Sequence, residues 1–250
     1  MSQGSSYKLF RIPVFLLLIL ICVYLFIHSS FFAIDEIYVT GLQNVAKNEI
    51  IQLSGLSSGM NIFTINETLA SKAVEMHPLI KSSKIVRHLP RKIEIQVQER
   101  KVWALIPYQG GLLCVDEEGI CIDKLNYFSL LNYPVISMDK LPERVILGQA
   151  VEEKGVKLAR KVWNALNSEQ RKQISQIHYQ NEKGEIIIYT NEGTEIKWGQ
   201  DDRMEEKTVS FDQILKLEKD MIEKGNDALE YVDLRFKGQP VVKTKMQIPE

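Results

Sequence analysis

His77 to Ala104 reads HPLIKSSKIVRHLPRKIEIQVQERKVWA, two extended runs that meet at Leu89-Pro90-Arg91. In the second run Ile93, Ile95 and Val97 alternate with Lys92, Glu94, Gln96 and Gln98, the pattern of a strand with one buried and one wet face. The preceding residues supply what that face needs. Ile34 to Thr40 (IDEIYVT) alternates as a strand and stops at Gly41. Asn44 is a candidate cap for a helix carrying Ile50, Ile51 and Leu53 that ends at Gly55, and Asn66 for one carrying Leu69, Ala70, Ala73 and Val74 that ends before Pro78. The order is therefore β-α-α-β-β. Covering the three apolar strand side chains contributes roughly 1.5 to 3 kcal/mol each before chain entropy is subtracted, enough to fix register.

Working towards the N-terminus, Ile12 to Ile34 carries no formally charged residue and is long enough, at about 1.5 Å per residue, to span a hydrocarbon core of roughly 30 Å. Lys8 and Arg11 precede it and Asp35 and Glu36 follow, so the expectation is a cytoplasmic tail at 1–11, a transmembrane helix at 12–34 and an extracytoplasmic remainder. A cleaved signal peptide is the competing reading. It fits poorly, because cuts after Ala33 or Ser30 would place Phe31 or His28 where a small residue is wanted.

Towards the C-terminus the texture changes from Val102 to short strands broken by turns. LLCVDEEGICI reads as a tight hairpin opened by Asp116 and closed by Gly119, with Cys114 and Cys121 facing each other as reduced thiols or a disulfide. Residues 152–166 carry a helical stripe of Val156, Ala159, Val162, Trp163 and Leu166. IHYQNEKGEIIIYTNEGTEIKWG gives three strands, simplest as a meander. Asp202 and Glu205 have capping-box spacing ahead of a stripe of Phe211, Ile214, Leu215, Met221 and Ile222 ending at Gly225. Tyr231 to Phe236 then alternates as a last strand, with a turn at Lys237-Gly238 before Pro240.

Composition excludes several function classes. Thirty-one basic against thirty-two acidic residues leave no basic excess for nucleic acid. Three cysteines and four scattered histidines lack metal-ligand spacing, and no cofactor fingerprint is present, so no cofactor is expected. Paired acids such as Glu117-Glu118, Glu152-Glu153 and Glu205-Glu206 fall at a turn tip and two helix starts, where the helix dipole or solvent suffices. Asn66-Glu67-Thr68 matches a glycosylation sequon, although Asn66 is better used as a cap. Trp103, Trp163 and Trp198 are scattered and read as core residues. Gly55-Leu56-Ser57-Ser58-Gly59 fits the G-x-S-x-G pattern of a hydrolase elbow, but Ser57 would follow a helix and precede an extended segment, the reverse of the required strand-to-helix turn.

Taken in order, Gly41, Leu53 to Phe63, Pro78-Leu79-Ile80, Val86 to Pro90 and Ile93 to Ala104 resemble a POTRA module and the boundary after it. Val115 to Gly119, Lys197-Trp198-Gly199 and Val232 to Phe236 resemble the domain that follows it in the FtsQ/DivIB family of bacterial cell-division proteins. One departure is Lys101-Val102-Trp103, where the family usually has a small residue and a proline. The resemblance implies an α+β chain: transmembrane helix, POTRA-like domain at 35–101, a β-rich domain with flanking helices at 102–242 and a tail at 243–250. It also implies a non-catalytic, single-pass divisome scaffold at the division septum that binds FtsL-like and FtsB/DivIC-like single-span proteins, connects them to septal peptidoglycan synthesis, and takes no small-molecule substrate. The implied partner-binding residues are Val232, Asp233, Leu234, Arg235, Phe236, Val241 and Val242, to which Tyr231 is added as an apolar anchor, in keeping with strand addition at an open sheet edge. Arg87, Arg91 and Arg100 on or near the polar hairpin form a possible second docking surface for an acidic partner, with a merely solvated face as the competing reading. A hydrolase using Ser57 and a POTRA module of a polypeptide-transport system are the rival functions. The second lacks the run of alternating membrane strands that a barrel would need.

Overall fold

A computed structural model of the chain describes residues 6–125, 133–224 and 229–244, with side chains from residue 11 onward. The chain divides into two compact units, 1–100 and 101–250.

The first unit begins with helix α1, Ser6–Ile27. Its described apolar side chains from Ile12 to Phe26 lie mostly exposed, while the chain leaves the helix at Ile27 and passes through a single 3-10 turn, Ser30–Phe32. Among the described residues no helix is long and apolar enough to cross a membrane. Of the expected span 12–34, the helix covers the part up to Ile27. The last residues of the span do not extend the helix; Ile34 is buried in the protein core, 1% exposed, and Phe32 packs against the same core.

Then come β1 (Glu36–Thr40), α2 (Lys47–Ser54), α3 (Glu67–Glu75), β2 (Ile80–His88) and β3 (Lys92–Glu99). The order in the sheet is β1-β3-β2, with β1 parallel and β2 antiparallel to β3. Ile93 and Ile95 are fully buried with Ile50, Val74 and Ile80, as the alternation requires. The chain leaves β1 at Gly41, φ +88°, so close to β3 that an added Cβ would lie 1.9 Å from the Val97 carbonyl oxygen. Glycine is the residue that both the angle and the space permit.

Asn66 caps α3 by accepting the Leu69 N–H at 3.0 Å. Asn44 does not cap α2, whose N-cap is Ala46. Instead the backbone N–H groups of Gln43, Asn44 and Val45 donate to the buried Glu99 carboxylate at 2.8 to 3.0 Å, and the Asn44 amide adds a donor at 3.2 Å. Burial pushes the Glu99 carboxyl up, yet these donors outweigh it and hold its pKa below the ordinary glutamate value.

The second unit contains β4 (Ala104–Tyr108), β5 (Gly111–Val115), β6 (Cys121–Leu125), β7 (Ile136–Met138), α4 (Glu153–Ala165), α5 (Ser168–Lys172), β8 (Ile174–Gln180), β9 (Glu185–Thr190), β10 (Glu195–Gly199), α6 (Met204–Glu223), β11 (Leu229–Asp233) and β12 (Val241–Thr244). β4, β5 and β6 form an antiparallel sheet, and the remainder a six-stranded sheet ordered β12-β11-β10-β9-β8-β7. A bridge between Leu105 and Val135 brings the smaller sheet alongside β7. Asp116 accepts the N–H groups of Glu118 and Ile120, and Gly119 closes the turn as expected.

The cysteines do not face each other. Cys114 pairs with Asp123 and Cys121 with Val115 across a bulge, which turns the thiols into two different apolar clusters, and both are free. Burial raises the Cys121 thiol pKa to about 11. The meander at β8-β9-β10 forms. Trp198 is fully buried, edge-on to Phe211 at 6.3 Å between centroids. The Asp202/Glu205 capping box does not form. Asp202 accepts the Lys207 ammonium at 2.7 Å, and α6 begins after Arg203, φ +47°. The expected helix end at Gly225 lies outside the described residues.

Candidate partner-binding edge

Between Asp233 and Val241 the chain reverses, so the last sheet element is two strands rather than one. β11 is occupied on both sides, parallel to β10 through Tyr231, Val232 and Asp233, and antiparallel to β12 through Tyr231↔Lys243, Val232↔Val242 and Asp233↔Val241. β12 is the sheet's terminal strand, and all four of its residues are exposed. Its outer row of N–H and C=O groups has no strand beside it among the described residues.

The eight residues expected to bind a partner are therefore not equivalent. Val232, Asp233 and Leu234 are buried and hold the unit together. Phe236, 65% exposed, lies on the turn, and Val241 and Val242 are exposed on the open strand. Tyr231 is half-buried beneath the Lys197 ammonium, 3.8 Å from its ring centroid. The expected strand from Tyr231 to Phe236 is corrected: it ends at Asp233, and Leu234, Arg235 and Phe236 belong to the turn.

Two arginines hold that turn. Arg235 donates to Asp233 at 2.6 and 3.0 Å and to Glu185 at 3.2 Å. Its guanidinium keeps the Asp233 carboxyl below the usual aspartate range, against the opposing effect of burial. Arg203, invisible as a site residue in the sequence, grips three successive carbonyl oxygens: Nη2 donates to Leu234 at 3.0 Å and Arg235 at 2.8 Å, and Nη1 to Phe236 at 2.9 Å. Phe236 is thus carried on a braced turn.

Comparison with known proteins gives two family matches: the POTRA domain, FtsQ-type, over residues 32–100, and the C-terminal domain of cell division protein FtsQ/DivIB over residues 104–235. The second alone covers more than half of the chain. The chain belongs to the FtsQ/DivIB family. It is 29% identical over 234 residues to the cell division protein DivIB of Clostridium botulinum (strain Loch Maree / Type A3), covering 92% of this chain and 89% of that one. It is 30% identical over 189 residues to the cell division protein FtsQ of Anaeromyxobacter sp. (strain K), covering 75% and 63%, and 28% identical over 186 residues to DivIB of Bacillus subtilis (strain 168), covering 73% and 65%. The FtsQ/DivIB match stops at Arg235, so Phe236 and β12 lie just beyond it.

The POTRA unit of this FtsQ/DivIB chain leaves less room for docking than its polar sequence promised. Its wet face is paired with itself: Lys92 with Glu36 at 2.7 Å, Glu94 with His88 at 2.8 Å and Thr40 at 2.9 Å, and Ser82 with Gln98 at 3.3 Å. At β2 the edge is partly covered by α3, with Glu75 accepting the Ser83 N–H at 2.8 Å and Ser71 Oγ donating to the Ser83 carbonyl at 2.9 Å. The three arginines are not brought together. Arg87 lies on the helix-facing side opposite Ile93, pairing with Glu67 at 2.8 Å and donating to the Ile65 carbonyl at 3.0 Å. Arg91 donates to the Ala33 carbonyl at 3.1 Å, and Arg100, its backbone N–H bound to the Leu79 carbonyl, stands roughly 30 Å of strand away.

At Ser57 the hydrolase reading finds no support. Gly55, φ +67°, is the C-cap of α2, and Ser57 follows a helix rather than a strand. Its N–H contacts the Met60 sulfur, and its neighbour Ser58 Oγ donates to the Ile34 carbonyl.

Proposed function

We propose that the protein is a non-catalytic division scaffold, anchored in the cell membrane by α1 with its N-terminus cytoplasmic, that acts at the septum by accepting a strand from FtsL-like or FtsB/DivIC-like single-span proteins along β12. One observation carries this reading: among the described residues β12 has no strand on its outer side and carries exposed apolar side chains at Val241 and Val242, with Phe236 exposed on the turn before it. An added strand gains main-chain hydrogen bonds, while alternate side chains select the partner. Support for the anchor is the run of uncovered lipophilic side chains from Ile12 to Phe26, preceded by Arg11 and followed by Asp35 and Glu36.

The test is capture of the purified chain by candidate single-span division proteins. Phe236→Ala should weaken capture about ten-fold, the loss expected of an exposed aromatic anchor, without moving the melting temperature. Ser57→Ala should change nothing. Unaltered capture by a chain with Phe236→Ala, Val241→Glu and Val242→Glu together would overturn the reading, as would hydrolytic turnover that disappears with Ser57→Ala.

A further inference from the structure

Where α1 ends, the protein itself satisfies the helix carbonyls. His28 N–H and Nδ1 donate to the Tyr24 oxygen, Ser29 N–H and Oγ to the Phe26 oxygen, and the Asn61 side-chain amide reaches back to the Ile27 oxygen at 2.7 Å. Such partners suit a helix that ends at the edge of a low-dielectric layer, where water is not at hand for its last carbonyls. The connection that follows is also fixed. Ile62 N–H donates to the Phe32 oxygen, Ile34 N–H to the Met60 oxygen and Gly59 N–H to the Ile34 oxygen, so the Met60–Phe63 loop is zipped against the helix exit.

At that junction sits a continuous aromatic group. Phe26 stacks on Phe31 at 5.7 Å, Phe31 meets Phe32 edge-on at 4.9 Å, and Phe32 meets Phe63 at 4.9 Å. Phe32 faces inward, but Phe31 is 53% exposed and Met60 and Phe63 each 38%, and Phe31 joins the uncovered side chains of the helix through Phe26. Length gives the occupant. The apolar part of α1, Ile12 to Ile27, rises about 24 Å, short of a hydrocarbon core of roughly 30 Å.

We propose that Phe31, Met60 and Phe63 form a lipid-facing collar that completes the apolar height of α1 and seats the POTRA unit directly on the outer leaflet. This deepens the anchored-scaffold reading and rests on α1 crossing the bilayer. The collar's ligand is the interfacial layer of phospholipid, where aromatic side chains are favoured.

The experiment reconstitutes the full chain carrying Phe63→Trp into phosphatidylcholine–phosphatidylglycerol vesicles with and without acyl-chain-brominated phosphatidylcholine. Emission of the unsubstituted chain, from Trp103, Trp163 and Trp198, is subtracted. The added indole should lose about half its emission to the brominated lipid, as expected of a side chain at the membrane interface. Met60→Trp, read in the same way, serves if Phe63→Trp does not fold. A chain that resists alkaline extraction from the vesicles but shows no quenching at either position overturns the collar and leaves the anchor standing. A chain that alkali extracts overturns the anchor, and the collar with it.

Discussion

Removing the Arg203 side chain should loosen the β11–β12 turn more than it disturbs anything else. The guanidinium is 21% exposed and donates to the carbonyl oxygens of Leu234, Arg235 and Phe236. A hydrogen bond from a charged donor is worth about 1.5 to 3 kcal/mol, but three on one group do not add, and water can reach part of this one. Arg203→Ala is therefore expected to cost about 2 to 3 kcal/mol, with nothing counted for the outward pairs to Asp202 and Glu206. For a unit of this size that lowers the melting temperature by roughly 5 to 10 °C. Arg203 also sits at φ +47°, a conformation costing a non-glycine residue roughly 1 kcal/mol. Arg203→Gly loses the same hydrogen bonds and escapes that cost, so it should melt above Arg203→Ala. Thermal unfolding by near-ultraviolet circular dichroism, with Trp198 as reporter, reads both, and partner capture should fall in both. If Arg203→Ala melts within a degree of the parent, or the glycine variant melts below the alanine one, the bracing argument is refuted.

Three further outcomes follow from the packing. The pKa of Glu99 is depressed in the folded state, so its contribution is complete above its ordinary value of 4.5 and is lost as pH falls through the lower folded value; melting curves between about pH 3 and 7 should show an acid loss that Glu99→Gln makes smaller, alongside lower stability at neutral pH. Gly155→Ala, in the first turn of α4 and expected from propensity to gain at most about 1 kcal/mol, should instead lose roughly 1 to 3 kcal/mol, because the new Cβ would lie 2.5 Å from Cδ1 of the buried Tyr179 ring; denaturant titration should find the loss relieved in a Tyr179→Ala background. Gly41→Ala combines φ +88° with a Cβ 1.9 Å from the Val97 oxygen and should cost more than about 2 kcal/mol in the POTRA unit, visible as faster amide exchange along β1.

What could be read from the sequence was whatever local chemistry decides. The alternation of Ile93, Ile95 and Val97, the Asn66 cap and the Asp116 turn each depend on residues within a few positions, and each forms. The misreadings share a different cause. Asn44 has the right chemistry for a cap but is taken by Glu99, and Asp202 by Lys207. Ile34 looks like more membrane helix until the POTRA core claims it. The short helix α5 was missed although Asn167 and Gln170 form a capping box, because five residues give no periodicity to find. At the candidate edge Phe236 and Val241 could be proposed from their apolar character, whereas Arg203 acts on carbonyls more than thirty positions away and carries no local signal.

The bond between the Asn61 amide and the Ile27 carbonyl has a mechanical corollary. With that cap and the zipped loop beyond it, the helix has no swivel, and its rotational phase is passed to the β-α-α-β-β body. Each residue of an α-helix advances the azimuth by about 100°, so one alanine inserted between Ile12 and Ile27 would re-aim the whole module relative to the helix's first turns, while four would nearly restore its heading. The number of residues in α1 thus works as an angular setting as well as a length.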